Sequence, residues 1–110
     1  MNDIEQRNKL ITCVRKSLDQ RKYDEAESVL CKALAEYPHS AIPHNLYGIL
    51  LEKKGMHVEA MKHFRAAWNF DPTYLPSRYN LDIYASFDSV KSPAYREEDI
   101  PADKLKDKKF

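Results

Sequence analysis

Residues 34 positions apart in this chain agree in kind, without a gap, over the length of a helical hairpin. Ala26 answers Ala60, Leu30 answers Phe64, Ala33 answers Ala67 and Pro38 answers Pro72, while Tyr23 stands opposite His57. A period of this size confines the fold to stacked units, each too small to bury its apolar face alone. Within a unit the apolar spacing is helical: Ala60, Phe64 and Ala67 follow one another at intervals of four and three, on one helix face. The scarcity of glycine, with two in 110 residues, agrees with helices and argues against a β fold.

Each unit reads as two helices joined by a tight turn. A glycine inside a helix costs about 1 kcal/mol relative to alanine, so Gly48 signals close approach by a second helix, the one carrying Ala60, Phe64 and Ala67. Lys53-Lys54-Gly55 closes the first helix, since cations suit the negative end of the dipole and glycine suits a left-handed stop. Asp71-Pro72 closes the second, because proline cannot continue the ladder. The upstream copy departs at two places. Val14 replaces the small residue and predicts a wider first hairpin, and Arg21 stands where Gly55 stands, so the first turn lacks a glycine stop. Shifted downstream, half of the pattern survives: Leu81 and Ala85 keep core spacing, whereas Arg78 and Asp82 replace His44 and Gly48 and can pair across one turn. That third unit reads as a lone capping helix with a polar outer side.

The stretch 41–74, with its Gly48, Gly55, Ala60, Phe64, Ala67 and Asp71-Pro72, resembles a tetratricopeptide repeat, and the Tyr-Asp-Glu-Ala run at 23–26 is close to that family's wording. The resemblance covers about residues 7–86. It implies an all-α fold, a right-handed superhelix of antiparallel helix hairpins with about five helices plus a C-terminal tail. The expected organisation is a repeat domain over 1–88 (repeat one 7–40, repeat two 41–74, capping helix 75–87), followed by a charged, flexible tail over 89–110.

The expected helices run over about 3–20, 23–37, 41–54, 57–70 and 74–87. Asn2 with Glu5 makes a capping box for the first helix, whose Leu10, Cys13, Val14 and Ser17 face the second. Pro43 and Pro76 fit only in the first turns of their helices. Trp68 is expected to pack between the fourth and fifth helices. From Ser89 onward the composition changes, with Pro93, Pro101, the acids Glu97-Glu98-Asp99 and a lysine-rich finish. This part lacks an apolar face and reads as extended or disordered, with a short helix starting at Pro101.

Composition narrows the function classes. A net charge of +1 argues against a dedicated nucleic-acid binder. No apolar run approaches the ~18 residues of a membrane span, and the N-terminus is too polar for a signal peptide. Cys13 and Cys31 do not make a disulfide framework; reduced thiols in a cytoplasmic protein are expected, although spacing alone does not exclude a bond between them. The histidines at 39, 44, 57 and 63 offer no pair at metal-ligand spacing with a carboxylate or thiolate between them. His57 and Met61 lie four apart, but His57 reads better as the aromatic that packs at the start of the fourth helix. There is no glycine-rich phosphate loop and no cysteine–histidine spacing of a catalytic kind. No enzyme activity, cofactor or metal is expected.

In the tetratricopeptide family the first helix of each hairpin lines a concave groove that holds a peptide. The resemblance places Asn8, Ile11, Thr12 and Arg15 there from the first helix, Asn45, Leu46, Ile49 and Glu52 from the third, and Tyr79, Asn80 and Ile83 from the fifth. The candidate partner-binding residues are Ile11, Arg15, Asn45, Ile49, Glu52, Tyr79, Asn80 and Ile83. The two-carboxylate clamp by which some members grip acidic chaperone tails does not fit, since its places hold Ile11, Arg15, Leu46, Pro76 and Asn80, with one basic residue among them. The expected function is a non-catalytic adaptor or scaffold that binds a peptide or helix of another protein. An alternative stays open: self-assembly into homo-oligomers through the groove, the capping helix or the tail. Two and a half units are few for such an array, and Tyr95, Ile100, Leu105 and Phe110 could anchor the tail in its own or a neighbour's groove.

Overall fold

The computed structural model describes residues 3–86 and 92–107, so Asn2, Phe87 and Phe110 lie outside the described residues. The described chain is all-helical: α1 (Ile4–Asp19), α2 (Tyr23–Glu36), α3 (Ala41–Lys53), α4 (His57–Phe70), α5 (Leu75–Ala85), a 3-10 turn (Glu97–Asp99) and α6 (Ala102–Asp107). Asp3 caps α1, its carboxylate accepting from the Glu5 N–H at 3.0 Å. The 34-residue period recurs in the backbone. At the end of α1 the Lys22 N–H donates to Ser17 O at 2.8 Å and the Arg21 N–H to Leu18 O at 3.0 Å; at the end of α3 Met56 and Gly55 repeat this on Leu51 and Glu52 at 2.8 and 3.0 Å. Both are Schellman stops, which need a left-handed residue just past the helix. Gly55 supplies it at φ 78° and Arg21 at φ 58°. The first turn therefore has the geometry of the second without its glycine, because the two paired N–H groups outweigh the strain on one arginine.

The centre of the molecule is α3. It touches α1, α2, α4 and α5, and nine of its residues are buried, Ala41, Ile42, Pro43, Asn45, Leu46, Gly48, Ile49, Leu50 and Leu51. Burial on so many sides removes the polar face that an edge helix would show. Gly48 is where α4 comes closest: a Cβ there would lie 2.5 Å from Phe64 Cε1. The Phe64 ring is fully buried and stacks on Tyr84 of α5, centroids 5.7 Å apart. In the first hairpin Val14 and Leu30 hold these two places, and α1 and α2 are in less extensive contact than α3 and α4. Leu10, Val14, Ser17 and Leu18 of α1 are buried, but Cys13 is exposed, as is Cys31; one helical residue before Val14 is enough to turn its side chain out of the α1–α2 seam. His57 also departs from expectation. It is exposed, with Nδ1 2.7 Å from Glu52 Oε2 instead of packing inward. Trp68 is half-buried and meets the Arg78 guanidinium, 4.9 Å from its ring, while Arg78 also reaches Asp82 at 3.4 Å.

Two substitutions probe these backbone features. Gly48→Ala gains about 1 kcal/mol of helix propensity but overpacks against Phe64 at a cost of about 1–3 kcal/mol, so thermal melting is expected to shift down by several degrees. Arg21→Gly relieves left-handed strain of about 1–2 kcal/mol, partly offset by glycine's unfolded-state entropy, so its melting temperature is expected to rise, whereas Arg21→Ala leaves it nearly unchanged.

Candidate functional site

The helices α1, α3 and α5 lie side by side, and the period sets equivalent residues across them. Ile11, Asn45 and Tyr79 form one row, Thr12, Leu46 and Asn80 the next, and Arg15, Ile49 and Ile83 a third. Along this face runs the chain's own segment 92–107. At its centre, Asn80 Nδ2 donates to Ala94 O at 2.8 Å, and the Ala94 N–H donates back to Asn80 Oδ1 at 2.8 Å. Asn45 Nδ2 donates to the same carbonyl at 3.1 Å, and the second hydrogen of Asn80 Nδ2 goes to Asn45 Oδ1 at 2.8 Å. Both asparagines and Ala94 are fully buried. One backbone residue thus has its donor and its acceptor satisfied by side chains, as a neighbouring strand would satisfy them. An asparagine suits this because its amide donates and accepts at once.

Around this centre the segment is held by side chains of several kinds. Tyr95 joins the main core, in the same buried cluster as Ile11 and Ile49. The Arg15 guanidinium lies 4.8 Å from its ring centroid, and the Tyr74 hydroxyl donates to Tyr95 O at 3.2 Å. Arg15 Nη1 also meets Asp99 at 3.2 Å, and Asp99 Oδ2 accepts from the Tyr95 and Arg96 N–H groups at 3.0 and 3.2 Å. Arg96 Nη2 donates to Thr12 Oγ1 at 3.3 Å. Ile100 is buried in a second cluster with Tyr79 and Ala94, lined by Leu75, Ile83 and Leu105. Burial pushes the Tyr95 phenol up to about 12, and its buried hydroxyl oxygen has no hydrogen-bond partner among the described residues. Burial raises the Tyr74, Tyr79 and Tyr84 phenols as well.

Of the residues expected to line the groove, Arg15, Asn45, Tyr79, Asn80 and Ile83 converge on the segment, and Ile11 and Ile49 share Tyr95's cluster. Glu52 does not join them; it turns toward His57 in the α3–α4 turn. The segment is packed where a loose tail was expected. Of the anchors considered for a tail in its own groove, Tyr95 and Ile100 are buried and Leu105 packs beside Ile100, while Phe110 lies outside the described residues. The segment's apolar residues Ala94, Tyr95 and Ile100 follow neither helical nor strand spacing, yet each is buried. A short helix does follow Pro101, as α6. Tyr74, at the mouth of α5, and Asp99 were not read from the sequence as site residues: the fold brings Tyr95 O to the Tyr74 hydroxyl and Arg15 to Asp99, across 21 and 84 positions.

Away from the groove, His44 and His63 stack with centroids 5.3 Å apart and Nδ1 atoms 3.1 Å apart. Pro38 O can only accept, so His44 Nε2 donates to it at 2.8 Å and its Nδ1 accepts from His63. Among the described residues no group of three or more histidines, cysteines and carboxylates is placed to hold a metal ion, and no helix is long and apolar enough to cross a membrane.

No family model matches the chain, and no solved structure matches it. A stretch of 56 residues, 51% of the chain, is 32% identical to Protein NPGR2 of Arabidopsis thaliana. The match spans 8% of the length of that protein.

The asparagine pair is expected to dominate the docking energy. Asn80→Ala leaves the buried Ala94 N–H unpaired, at a cost of about 1–3 kcal/mol, and melting is expected to fall by roughly 4–8 °C per kcal/mol. Arg15→Ala is expected to cost under about 1 kcal/mol, since its ion pair with Asp99 is half-exposed. The histidine pair predicts a pH dependence. Burial first, and His44 second, hold the His63 imidazole below its usual value. The unfolded chain then binds more protons below about pH 6.5, so stability falls as the pH drops from there. Melts at pH 7.5 and pH 5 are expected to differ more for the natural chain than for His63→Gln.

Proposed function

We propose that this chain is a non-catalytic protein-interaction module of the tetratricopeptide type, a short superhelix of antiparallel hairpins. Its first, third and fifth helices line a concave groove that holds an extended polypeptide segment. The observation that carries this reading is the pairing of Asn45 and Asn80 with both backbone groups of Ala94. Recognition through the main chain asks only that the occupant be extended there, so it suits a polypeptide ligand in general. The matching Schellman turns and the Gly48–Phe64 approach support the repeat assignment. Two free, exposed cysteines agree with a cytoplasmic setting.

A partner segment competes with the resident one. A covalently linked segment acts at an effective concentration on the millimolar scale, so a ligand of micromolar intrinsic affinity, about −8 kcal/mol, binds with an apparent affinity reduced by the fraction of open groove. Self-assembly is the second reading, favoured by the fit of the chain's own segment: a second copy could supply the same residues. Sedimentation over a concentration series separates the two, with association expected only for the second.

The test of the first is to pan a random peptide library on the full chain and on Asn45→Ala, with circular dichroism confirming the helices. Enrichment on the natural chain that weakens on the variant is expected. Enrichment on neither, or equally on both, would contradict the groove reading.

A further inference from the structure

Resting on that reading, we propose that the groove selects segments in which a small residue is followed by an aromatic ring and then, four and five residues after the ring, by aspartate and isoleucine. We further propose that phenylalanine is the preferred ring. The resident segment displays this pattern as Ala94, Tyr95, Asp99 and Ile100. Each place has its own reason. The residue at 94 is fully buried beside the asparagine pair, so a larger side chain there has to be fitted into packed interior. The ring at 95 is 4% exposed and sits in the main core under Arg15. The carboxylate at 99 meets Arg15 from outside and closes its own turn onto the N–H groups of residues 95 and 96. That turn brings the isoleucine at 100 back into the Tyr79 cluster.

The resident ring is not the best occupant of its own pocket. The Tyr95 oxygen is buried without a hydrogen-bond partner among the described residues, and a buried hydroxyl that gives up water and gains nothing weakens docking. A phenylalanine keeps the ring and sheds that cost. A partner with phenylalanine at this place therefore has an intrinsic advantage over the resident segment, enough to displace it despite the linkage when the partner is abundant.

The probe is a fluorescent peptide of residues 92–107, measured by anisotropy against the full chain carrying Asp99→Ala, which loosens the resident segment without emptying the core. Saturable binding is expected, about tenfold tighter for the peptide with Tyr95→Phe, and weaker for both peptides on the natural chain. Adding Arg15→Glu to the Asp99→Ala chain removes the contact with the Tyr95 ring from both peptides and the Asp99 pair from the native one alone, so the native peptide is expected to weaken severalfold more than the peptide that itself carries Asp99→Ala. Equal binding of native, Tyr95→Ala and Asp99→Ala peptides would overturn the pattern and leave the groove reading standing. No binding of any peptide by the folded chain would overturn both. A measurement in the intact chain does not depend on any weakened variant: Tyr95→Phe is expected to raise the melting temperature, and a fall would overturn the preference for phenylalanine.

Discussion

Two buried carboxamides decide how this molecule is closed. Without Asn45 and Asn80, the N–H and C=O of Ala94 would be buried with no partner, and a buried backbone group without a partner is seldom tolerated. With them, a stretch outside any helix or sheet passes through the interior at no such loss. The bond between the two amides holds each in the orientation that meets the Ala94 backbone. Everything else on the segment follows from that anchor: Tyr95 enters the core next to it, the turn at Asp99 folds back, and Ile100 closes the second cluster.

The anchor also bears on size. Arrays of stacked hairpins generally need three units to bury a continuous core, and this chain has two hairpins and α5. The face formed by α1, α3 and α5 carries Ile11, Asn45, Ile49, Tyr79 and Asn80, all buried in the folded chain. Part of that cover comes from the segment 92–107, which lends Ala94, Tyr95 and Ile100 to the interior. The same contacts that complete a small core also occupy the surface proposed to bind a partner, so stability and ligand access are set against each other at one place.

Local signals were legible in the sequence, and distant ones were not. The period, the turn at Gly55 and the proline positions place α1 to α5 within about two residues, because each signal acts within a turn or two of where it is written; the cap of α1 is Asp3, one residue after the Asn2 expected. The rows across α1, α3 and α5 follow from the same period, which is why Asn45, Asn80 and Arg15 could be set on one face from the sequence; that they meet the chain's own segment comes from the fold. The first turn does lack a glycine, yet Arg21 takes the left-handed place, because such a stop is set by two hydrogen bonds and glycine only lowers its strain. Cys13 and His57 turn outward by a fraction of a helical turn, finer than spacing resolves. The segment 92–107 was hardest to read. Its three buried apolar residues have no period, and the helix residues that meet Ala94 and Tyr95 lie 14 to 80 positions away, so no local spacing marks them as interior.

The central claim is that the Ala94 backbone is held inside the protein by side chains. Native-state hydrogen exchange at the Ala94 amide measures this most directly. The account predicts protection comparable to that of the buried turns of α3, lost together with the core. Exchange at the rate of an open chain, under conditions where α3 stays protected, would contradict it.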